Sequence, residues 1–368
     1  VASLSLAVAL TVMVASFRDS VTRWLDVVLP ADLYLRAASA GAAGDAGAFA
    51  PALVQAIAQV PGVARVGTVR ARPVSLSPAQ PPVMLLARSF DGDPSRALPL
   101  VGEALPTPAG HIGVYVSEAM VDLYGAKPGT VFAPLSKTFG PAKFFVSGVW
   151  RDYVRQFGSV VLDARDFERL SGDRSVNDVS IWLTPGAAEA QVQQSVRALV
   201  AAQQPAAGGI SGDTIEFASV GQLRATSLRI FDRSFAVTYW LQAVAIAIGL
   251  FGIAASFSAQ VLARRKEFGL LVHLGFTRRQ VLAVVAGEGA AWTVIGAFAG
   301  MALGLAVSVV LVKVVNPQSF HWTMDMLVPW GRLLTLCAAV VAAGTVTAWL
   351  AGRAAAGRDA VMAVKEDW

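Results

Sequence analysis

Three apolar runs in the second half of the chain limit what it can fold into. They extend over about residues 236–263, 281–315 and 333–351. Each supplies the roughly 20 apolar residues that a helix needs to cross a bilayer. Hydrophobic residues make up 55% of the chain and charged residues only 15%, which is typical of a membrane protein and excludes an ordinary water-soluble domain.

The opening stretch predicts a fourth membrane helix. Apolar residues extend from Val1 to Ser16, and we place this helix over residues 1–17. At a rise of about 1.5 Å per residue it is shorter than a hydrocarbon core that is about 30 Å thick. No basic residues precede it, which argues against a secretory signal. We therefore expect a truncated first membrane helix and a fragment of a longer protein.

The basic residues flank the apolar runs, and this predicts the orientation. Residues 264–280, between the second and third runs, form a short and strongly basic connection. The tail is also basic, with Arg353, Arg358 and Lys365. Short loops rich in Lys and Arg remain in the cytoplasm, so we expect both segments there. A net charge of +5 distributed in this way does not predict a nucleic-acid partner.

The other two connections are predicted to be extracytoplasmic. Residues 316–330 contain no Lys or Arg, and Trp322 and Trp330 suit the membrane–water interface. Because consecutive membrane helices alternate sides, residues 18–234 lie outside as well. Residues 235–368 then form a membrane domain with three of the four helices.

The segment 18–234 has the pattern of a folded α+β domain. Short β-branched or aromatic runs between Gly and Pro turns predict strands at residues 63–76, 83–90, 112–116, 144–150, 160–163, 179–184 and 214–217. Helices are predicted between them, at residues 51–60, 117–124, 164–170 and 187–202. The Gly/Ala-rich stretch 37–48 predicts a loop. The fold class is thus a membrane protein with four transmembrane α-helices and a large extracytoplasmic α+β domain.

An amphipathic helix is predicted immediately before the second apolar run. Leu223, Leu228 and Phe231 recur at helical spacing between Val220 and Phe235. A helix that continues into the membrane would carry motion from the outer domain. The alternative is an interfacial helix that only anchors the chain.

The basic connection and the helix after it carry the most specific motif. The stretch reads ARRKEFGLLVHLGFTRRQVLAVVAGEGAAWTVIGAFAGMALG from Ala263 to Gly304. It resembles the FtsX-like permease family, in which a basic residue, Glu, an apolar residue and Gly precede Leu-Gly and a helix with a Glu and spaced glycines. The matching residues are Arg265, Glu267, Phe268, Gly269, Leu274, Gly275, Arg278, Val281, Glu288, Gly296, Gly300 and Gly304.

The resemblance implies a function for the basic connection. It implies a coupling helix that docks on a separate ABC ATPase, and an outer domain like that of MacB. The implied ATPase-contacting residues are Arg264, Arg265, Lys266, Glu267, Phe268, Gly269, Leu274, Gly275, Arg278 and Arg279. The alternative from the charges alone is an interfacial helix with positive-inside flanks.

The third apolar run contains regularly spaced glycines and one acidic residue. Gly296, Gly300 and Gly304 share one helix face, which predicts close packing against a neighbouring membrane helix. Glu288 lies about 10 Å into this run by the helical rise. We interpret it as a polar contact near the cytoplasmic surface, because no partners for a proton relay are evident.

The sequence contains no motif for chemistry of its own. It has no Gly-x-x-x-x-Gly-Lys-Ser/Thr phosphate loop, so ATP is expected on the partner chain and no cofactor on this one. His111, His273 and His321 are scattered, so we predict no metal site. The single cysteine, Cys337, allows no intrachain disulfide. We find no catalytic residues.

The resulting hypothesis is a permease subunit of an ABC transporter in the inner or plasma membrane. ATP hydrolysis by the partner would move the outer domain to export or extract a lipoprotein, lipid, peptide or drug. A second permease unit, in the same or another chain, and membrane lipid are the other expected partners. The alternative is a membrane-anchored sensor, or a regulator of a cell-wall hydrolase.

Overall fold

The structure, a computed structural model, describes residues 1–37, 48–90, 92–94, 97–202 and 215–355. The chain forms two compact units. A helical unit contains Val1–Asp19, Phe231–Val315 and the described part of Met324–Trp368, and a sheet unit contains the described parts of Ser20–Ile230 together with Asn316–Thr323. Most of the Gly/Ala-rich stretch, and Arg358 and Lys365 of the tail, lie outside the described residues.

The sheet unit is built on one mixed sheet. Its strands are β1 (Leu33–Ala37), β2 (Val63–Val74), β3 (Val83–Arg88), β4 (Leu100–Val101), β5 (Ile112–Ser117), β6 (Phe144–Trp150), β7 (Ser159–Asp163), β8 (Asp178–Leu183) and β9 (Ile215–Ser219). Their order is β4-β6-β5-β7-β3-β2-β8-β1-β9. The pairs β3–β7 and β5–β6 are parallel, and the other neighbours are antiparallel.

Five helices cover one face of this sheet. They are α2 (Pro51–Ala58), α3 (Glu118–Tyr124), α4 (Ala133–Phe139), α5 (Ala164–Ser171) and α6 (Glu189–Ala202). Two buried clusters lie beneath them, one around Phe144 and Phe167 and one around Leu35 and Ile181. Because side chains alternate along a strand, the same strands also present a second set of residues to the opposite face. A smaller cluster around Leu86 and Trp150 lies there.

The chain enters and leaves the main segment of the sheet unit at adjacent strands. Helix α1 (Ala2–Val28) leads into β1, and α7 (Val220–Ser234) follows β9. The two strands pair antiparallel, with Leu33 opposite Ser219. Asp26 of α1 forms an ion pair of 2.8 Å with Arg224 of α7. The first and last elements of this segment are therefore held together.

The helical unit contains α8 (Ala236–Ala263), α9 (Arg265–His273), α10 (Arg278–Val310), a π-helical turn (Leu311–Val315) and α12 (Trp330–Ala355), together with the start of α1. The short α11 (Asn316–Phe320) belongs to the sheet unit. Helix α12 packs against α8 and α10. A buried cluster that includes Leu4, Ala297 and Leu333 joins α1, α10 and α12.

The predicted fold class is confirmed. Among the described residues, four helices are long and apolar enough to cross a membrane: Ala2–Val28, Ala236–Ala263, Arg278–Phe320 and Trp330–Arg353. The sheet unit combines strands and helices, as expected for an α+β domain. The first helix continues beyond residue 17 to Val28. Only Phe235 separates α7 from α8, and the amides of Phe235 and Tyr239 both bond to the carbonyl four residues earlier.

Candidate functional site

Two short connections join the apolar helices α8, α10 and α12, and they differ in what their side chains contact. The basic connection, residues 264–280, contains α9. The second connection includes the clasp segment, residues 316–323, which belongs to the sheet unit.

Local backbone chemistry determines where α9 ends and α10 begins. Gly275 adopts a φ of 97°, a left-handed conformation that favours glycine, and so turns the chain after α9. Thr277 caps α10, and its side chain and that of Gln280 form a reciprocal capping box. This turn fixes the chain direction between the two helices.

Phe268 anchors α9 to the ends of the longer helices. Its side chain is only 7% exposed. It packs in a cluster with Val261 of α8 and Val281 and Val285 of α10. Leu271 packs against the same cluster. Burial of an aromatic side chain of this size is a major stabilising term, so α9 is held as part of the helical unit.

Arg264 links α9 to α10 by charge. Its guanidinium donates to Glu267 at 2.8 Å and to both carboxylate oxygens of Glu288 at 2.8 and 3.1 Å. It also lies 5.6 Å from the centroid of the Phe268 ring. Hydrogen bonds from Glu267 and Glu288 raise the pKa of Arg264. Glu288 therefore makes the polar contact that its position suggested.

The opposite side of α9 and the turn after it is exposed. Leu270 is 62% exposed and Leu274 is 68% exposed, and Phe276 also remains accessible. Cationic side chains border these residues, with Lys266, Arg278 and Arg279 exposed. Arg265 and Gly269 lie within α9. The basic connection thus brings the predicted ATPase-contacting residues into one short stretch with an apolar surface.

The three glycines of α10 that were predicted to share one face, Gly296, Gly300 and Gly304, differ in their surroundings. A Cβ on Gly300 would lie 3.0 Å from Leu4, and one on Gly304 would lie 2.6 Å from Val8 Cβ. Both positions allow α1 to approach α10 closely. A Cβ on Gly296 would meet no described atom within 4 Å.

The clasp segment is fixed by hydrogen bonds to the sheet unit. Thr323 donates from its backbone N–H and its hydroxyl to the Glu118 carboxylate, at 2.9 and 2.5 Å. The Tyr153 hydroxyl donates to the Thr323 carbonyl at 3.1 Å. Burial raises the pKa of Glu118, although the bonds from Thr323 partly oppose this. Asn316 donates to the Trp322 carbonyl at 2.9 Å and closes the segment on itself.

Aromatic side chains complete this contact. Trp322 is 7% exposed and meets Tyr153 edge-on, with ring centroids 4.8 Å apart. Phe320 stacks on Trp322 from the other direction. Tyr153 in turn contacts Trp24 of α1, whose indole N–H donates to the Arg151 carbonyl at 2.8 Å. The clasp segment is therefore a packed part of the sheet unit.

Comparison with known proteins identifies the membrane part of the chain. Residues 241–360 match the family model of the FtsX-like permease C-terminal domain. This match assigns an FtsX-like permease domain to the region. The matched residues include the whole basic connection and Gly296, Gly300 and Gly304 of α10.

One relative covers nearly the whole chain. The ABC transporter permease protein Rv0987 of Mycobacterium tuberculosis is 28% identical over 363 residues. The alignment includes 95% of this chain and 41% of the relative, so the chain spans about two-fifths of that protein's length.

Two solved structures align with this chain at low TM-scores. The periplasmic region of MacB from Actinobacillus actinomycetemcomitans aligns with a TM-score of 0.39 and 10% identity, covering 55% of this chain and 94% of that one. The extracellular domain of the transporter YknZ from Gram-positive bacteria aligns with a TM-score of 0.34 and 12% identity, covering 51% and 99%. Similarity at this level says nothing about cargo or partners.

The sequence did not predict the two contacts that fasten the clasp segment to the sheet unit. The ring of Trp322 packs on Tyr153, and its expected position at the membrane–water interface stays a prediction. Glu118 does begin α3, but Ser117 before it makes no side-chain capping bond. The Glu118 carboxylate binds Thr323, a residue far away in sequence, and no local pattern signals such a contact.

Proposed function

We propose that this chain is a membrane subunit of an ABC transporter, and that its basic connection docks on a separate ATPase. Nucleotide-driven movement of that ATPase would shift α9 and the membrane helices, and the sheet unit would act on an extracytoplasmic cargo. The observation that carries this proposal is the division of α9. Phe268 fixes the helix internally, whereas Leu270, Leu274 and Phe276 stay exposed beside cationic groups.

An anchored helix with an exposed apolar and cationic side suits a protein partner. Binding sites between proteins concentrate their energy in a few apolar or aromatic side chains that become desolvated. A firm connection to α8 and α10 is also needed if the helix is to transmit a push. The FtsX-like family match and the similarity to a permease support a partner of the ABC ATPase class.

The first test places the two connections relative to the membrane. In a Cys337→Ala background, a single cysteine is introduced at Leu274 in the basic connection or at Val131 in the sheet unit. A membrane-impermeant maleimide applied to intact cells should label the Val131 position only. Labelling of both positions from outside would contradict the proposal.

The second test measures the ATPase contact. The tagged chain is co-expressed with a candidate partner ABC ATPase from the same organism, and the captured ATPase is quantified. Leu270→Asp combined with Leu274→Asp should reduce capture by about 30-fold or more, the loss expected for hot-spot side chains. Leu105→Asp combined with Val131→Asp, two exposed apolar positions of the sheet unit, is the matched control. Equal capture by both double variants and by Glu267→Lys would refute the coupling role.

A sensor or regulator function is the second candidate. The observation that favours this function is a cavity in the sheet unit, lined by α1, α7 and strands of the sheet. Ligand-dependent behaviour without any captured ATPase would support this function over transport.

A further inference from the structure

A cavity of about 340 Å³ lies on the sheet face opposite helices α2 to α6. Strands β1, β2, β3, β6, β7, β8 and β9 contribute to it, and α1 and α7 also line it. All of its lining residues belong to the sheet unit. Its size is within the range of about 300–1,000 Å³ that is usual for small-molecule sites.

Most of the cavity wall is apolar. Aliphatic and aromatic side chains from both the helices and the sheet line it, among them Trp24, Leu25, Leu86, Leu98, Val161 and Leu223. A concave apolar surface of this kind favours an aliphatic or aromatic ligand group over water.

Arg88 supplies a cationic group in this apolar wall. It is half-buried at the end of β3, and one of its nitrogens donates to the Ala97 carbonyl at 3.3 Å. Among the residues that the structure describes, no carboxylate lies within ion-pair distance of its guanidinium. Burial lowers the pKa of Arg88, as expected for a cation that is partly removed from water. A half-buried cation of this kind is stabilised by an incoming anion.

Tyr34 contributes a hydroxyl donor to the same cavity as Arg88. The two side chains interact electrostatically, and both line the cavity. The Tyr34 oxygen accepts a hydrogen bond of 2.8 Å from the Ala31 N–H, so its own proton is available to donate. Burial raises the pKa of Tyr34 to about 12, and the group therefore remains protonated. A guanidinium and a hydroxyl donor together match an acidic headgroup.

Two acidic residues, Asp178 of β8 and Glu216 of β9, also line the cavity, and both lie opposite Arg36 of β1 in the sheet. Asp178 forms an ion pair with Arg36. Trp150 also lines the cavity, and in the described part of the chain its buried indole N–H has no acceptor. Buried N–H groups without an acceptor are uncommon in folded proteins and are often explained by an absent water or ligand.

We propose that this cavity binds an amphiphile with one aliphatic chain and an acidic headgroup, either carboxylate or phosphate. The chain lies against the apolar wall, and Arg88 and Tyr34 hold the headgroup. This site is independent of the ATPase contact at the basic connection.

Photolabelling of the full chain in amphipol tests the proposal. Three diazirine probes share one alkyl chain and end in a carboxylate, a phosphate or a neutral alcohol. The acid probes should label peptides that contain the lining residues, and excess unlabelled fatty acid should compete. Labelling by either acid supports the site, and the stronger of the two assigns the headgroup. Labelling confined to the membrane helices, or labelling that does not saturate, would overturn it.

Variants separate the headgroup contact from the cavity itself. Arg88→Gln should reduce labelling by the acid probes by about tenfold, the effect of losing one charge-assisted contact, and leave labelling by the alcohol unchanged. Arg72→Gln, an exposed position on β2 that does not line the cavity, is the matched control. Ser180→Phe, next to Tyr34 in the register, should fill the cavity and reduce labelling by all three probes. Equal acid labelling of Arg88→Gln and the unmodified chain would refute the proposal.

Discussion

The basic connection and the clasp segment are both short links between apolar helices, but they use their aromatic and charged side chains differently. The clasp segment buries Trp322 and directs Thr323 to Glu118. Among the side chains of the basic connection that the structure describes, Phe268 is buried, whereas Leu270, Leu274 and Phe276 are exposed. A link whose side chains are satisfied within the molecule is a permanent contact, whereas one with exposed apolar groups retains binding capacity for a partner.

The largest expected effect concerns Phe268, the buried aromatic residue of the basic connection. Phe268→Ala removes a core aromatic side chain, a change that typically costs about 3–5 kcal/mol. Helix α9 should then detach from α8 and α10. Hydrogen exchange of peptides from residues 264–277 should accelerate strongly. Phe276→Ala, an exposed position in the same connection, should leave exchange nearly unchanged. Similar exchange in both variants would remove the distinction between the two sides of α9.

The next effect concerns the main polar contact of the clasp segment. Glu118→Ala removes two hydrogen bonds to a carboxylate, each worth about 1.5–3 kcal/mol. The Thr323 amide should exchange at least about tenfold faster, because each 1.4 kcal/mol corresponds to a factor of ten. Glu103→Ala, an exposed acid of the same unit, is the control. Unchanged exchange at Thr323 would show that the aromatic contacts alone hold this segment.

The sheet unit should also respond to pH, with a smaller effect. Burial raises the pKa of Glu118 above its ordinary value of 4.5, so the folded unit binds a proton more tightly than the unfolded chain. Unfolding therefore releases a proton, and this contribution to stability is fully present below the ordinary pKa and is lost as pH rises through the raised pKa. The difference in thermal unfolding midpoint between the unmodified chain and Glu118→Gln should follow this trend. A difference that stays constant with pH would assign any pH dependence to another group.

The smallest effect is expected at the exposed ion pairs of the basic connection. Arg264→Gln removes contacts to Glu267 and Glu288, but all three side chains are well exposed. Exposed ion pairs contribute little to stability. The thermal unfolding midpoint should therefore not change measurably in amphipol. A large decrease would mean that charge, and not Phe268, anchors α9.

Much of the fold could be predicted from the sequence because its signals are local. The apolar runs predicted the last three membrane helices to within a few residues at most ends, and β-branched runs predicted seven strands of the sheet. Strand β1 was missed because the preceding helix α1 continues to Val28, well beyond its apolar stretch. The short β4 and α4 carry too few residues for a periodic pattern.

The functional contacts were predicted less completely, for a physical reason. The FtsX-like motif located the basic connection, since its residues are close together in the chain. The pairing of Glu118 with Thr323 and the cavity around Arg88 and Tyr34 depend on which strands become neighbours. Only the strand order of the folded sheet brings these residues together, so composition and spacing could not show them.

The pairing of β1 with β9 has a consequence for how such proteins diversify. Leu33 lies opposite Ser219, and Asp26 is tied to Arg224, so the two ends of a segment of nearly 200 residues emerge side by side. A segment with adjacent ends can be exchanged for another of different size, or shortened to a hairpin, without moving the flanking helices. Evolution can thus retain the helical unit while it replaces the sheet unit with a different domain.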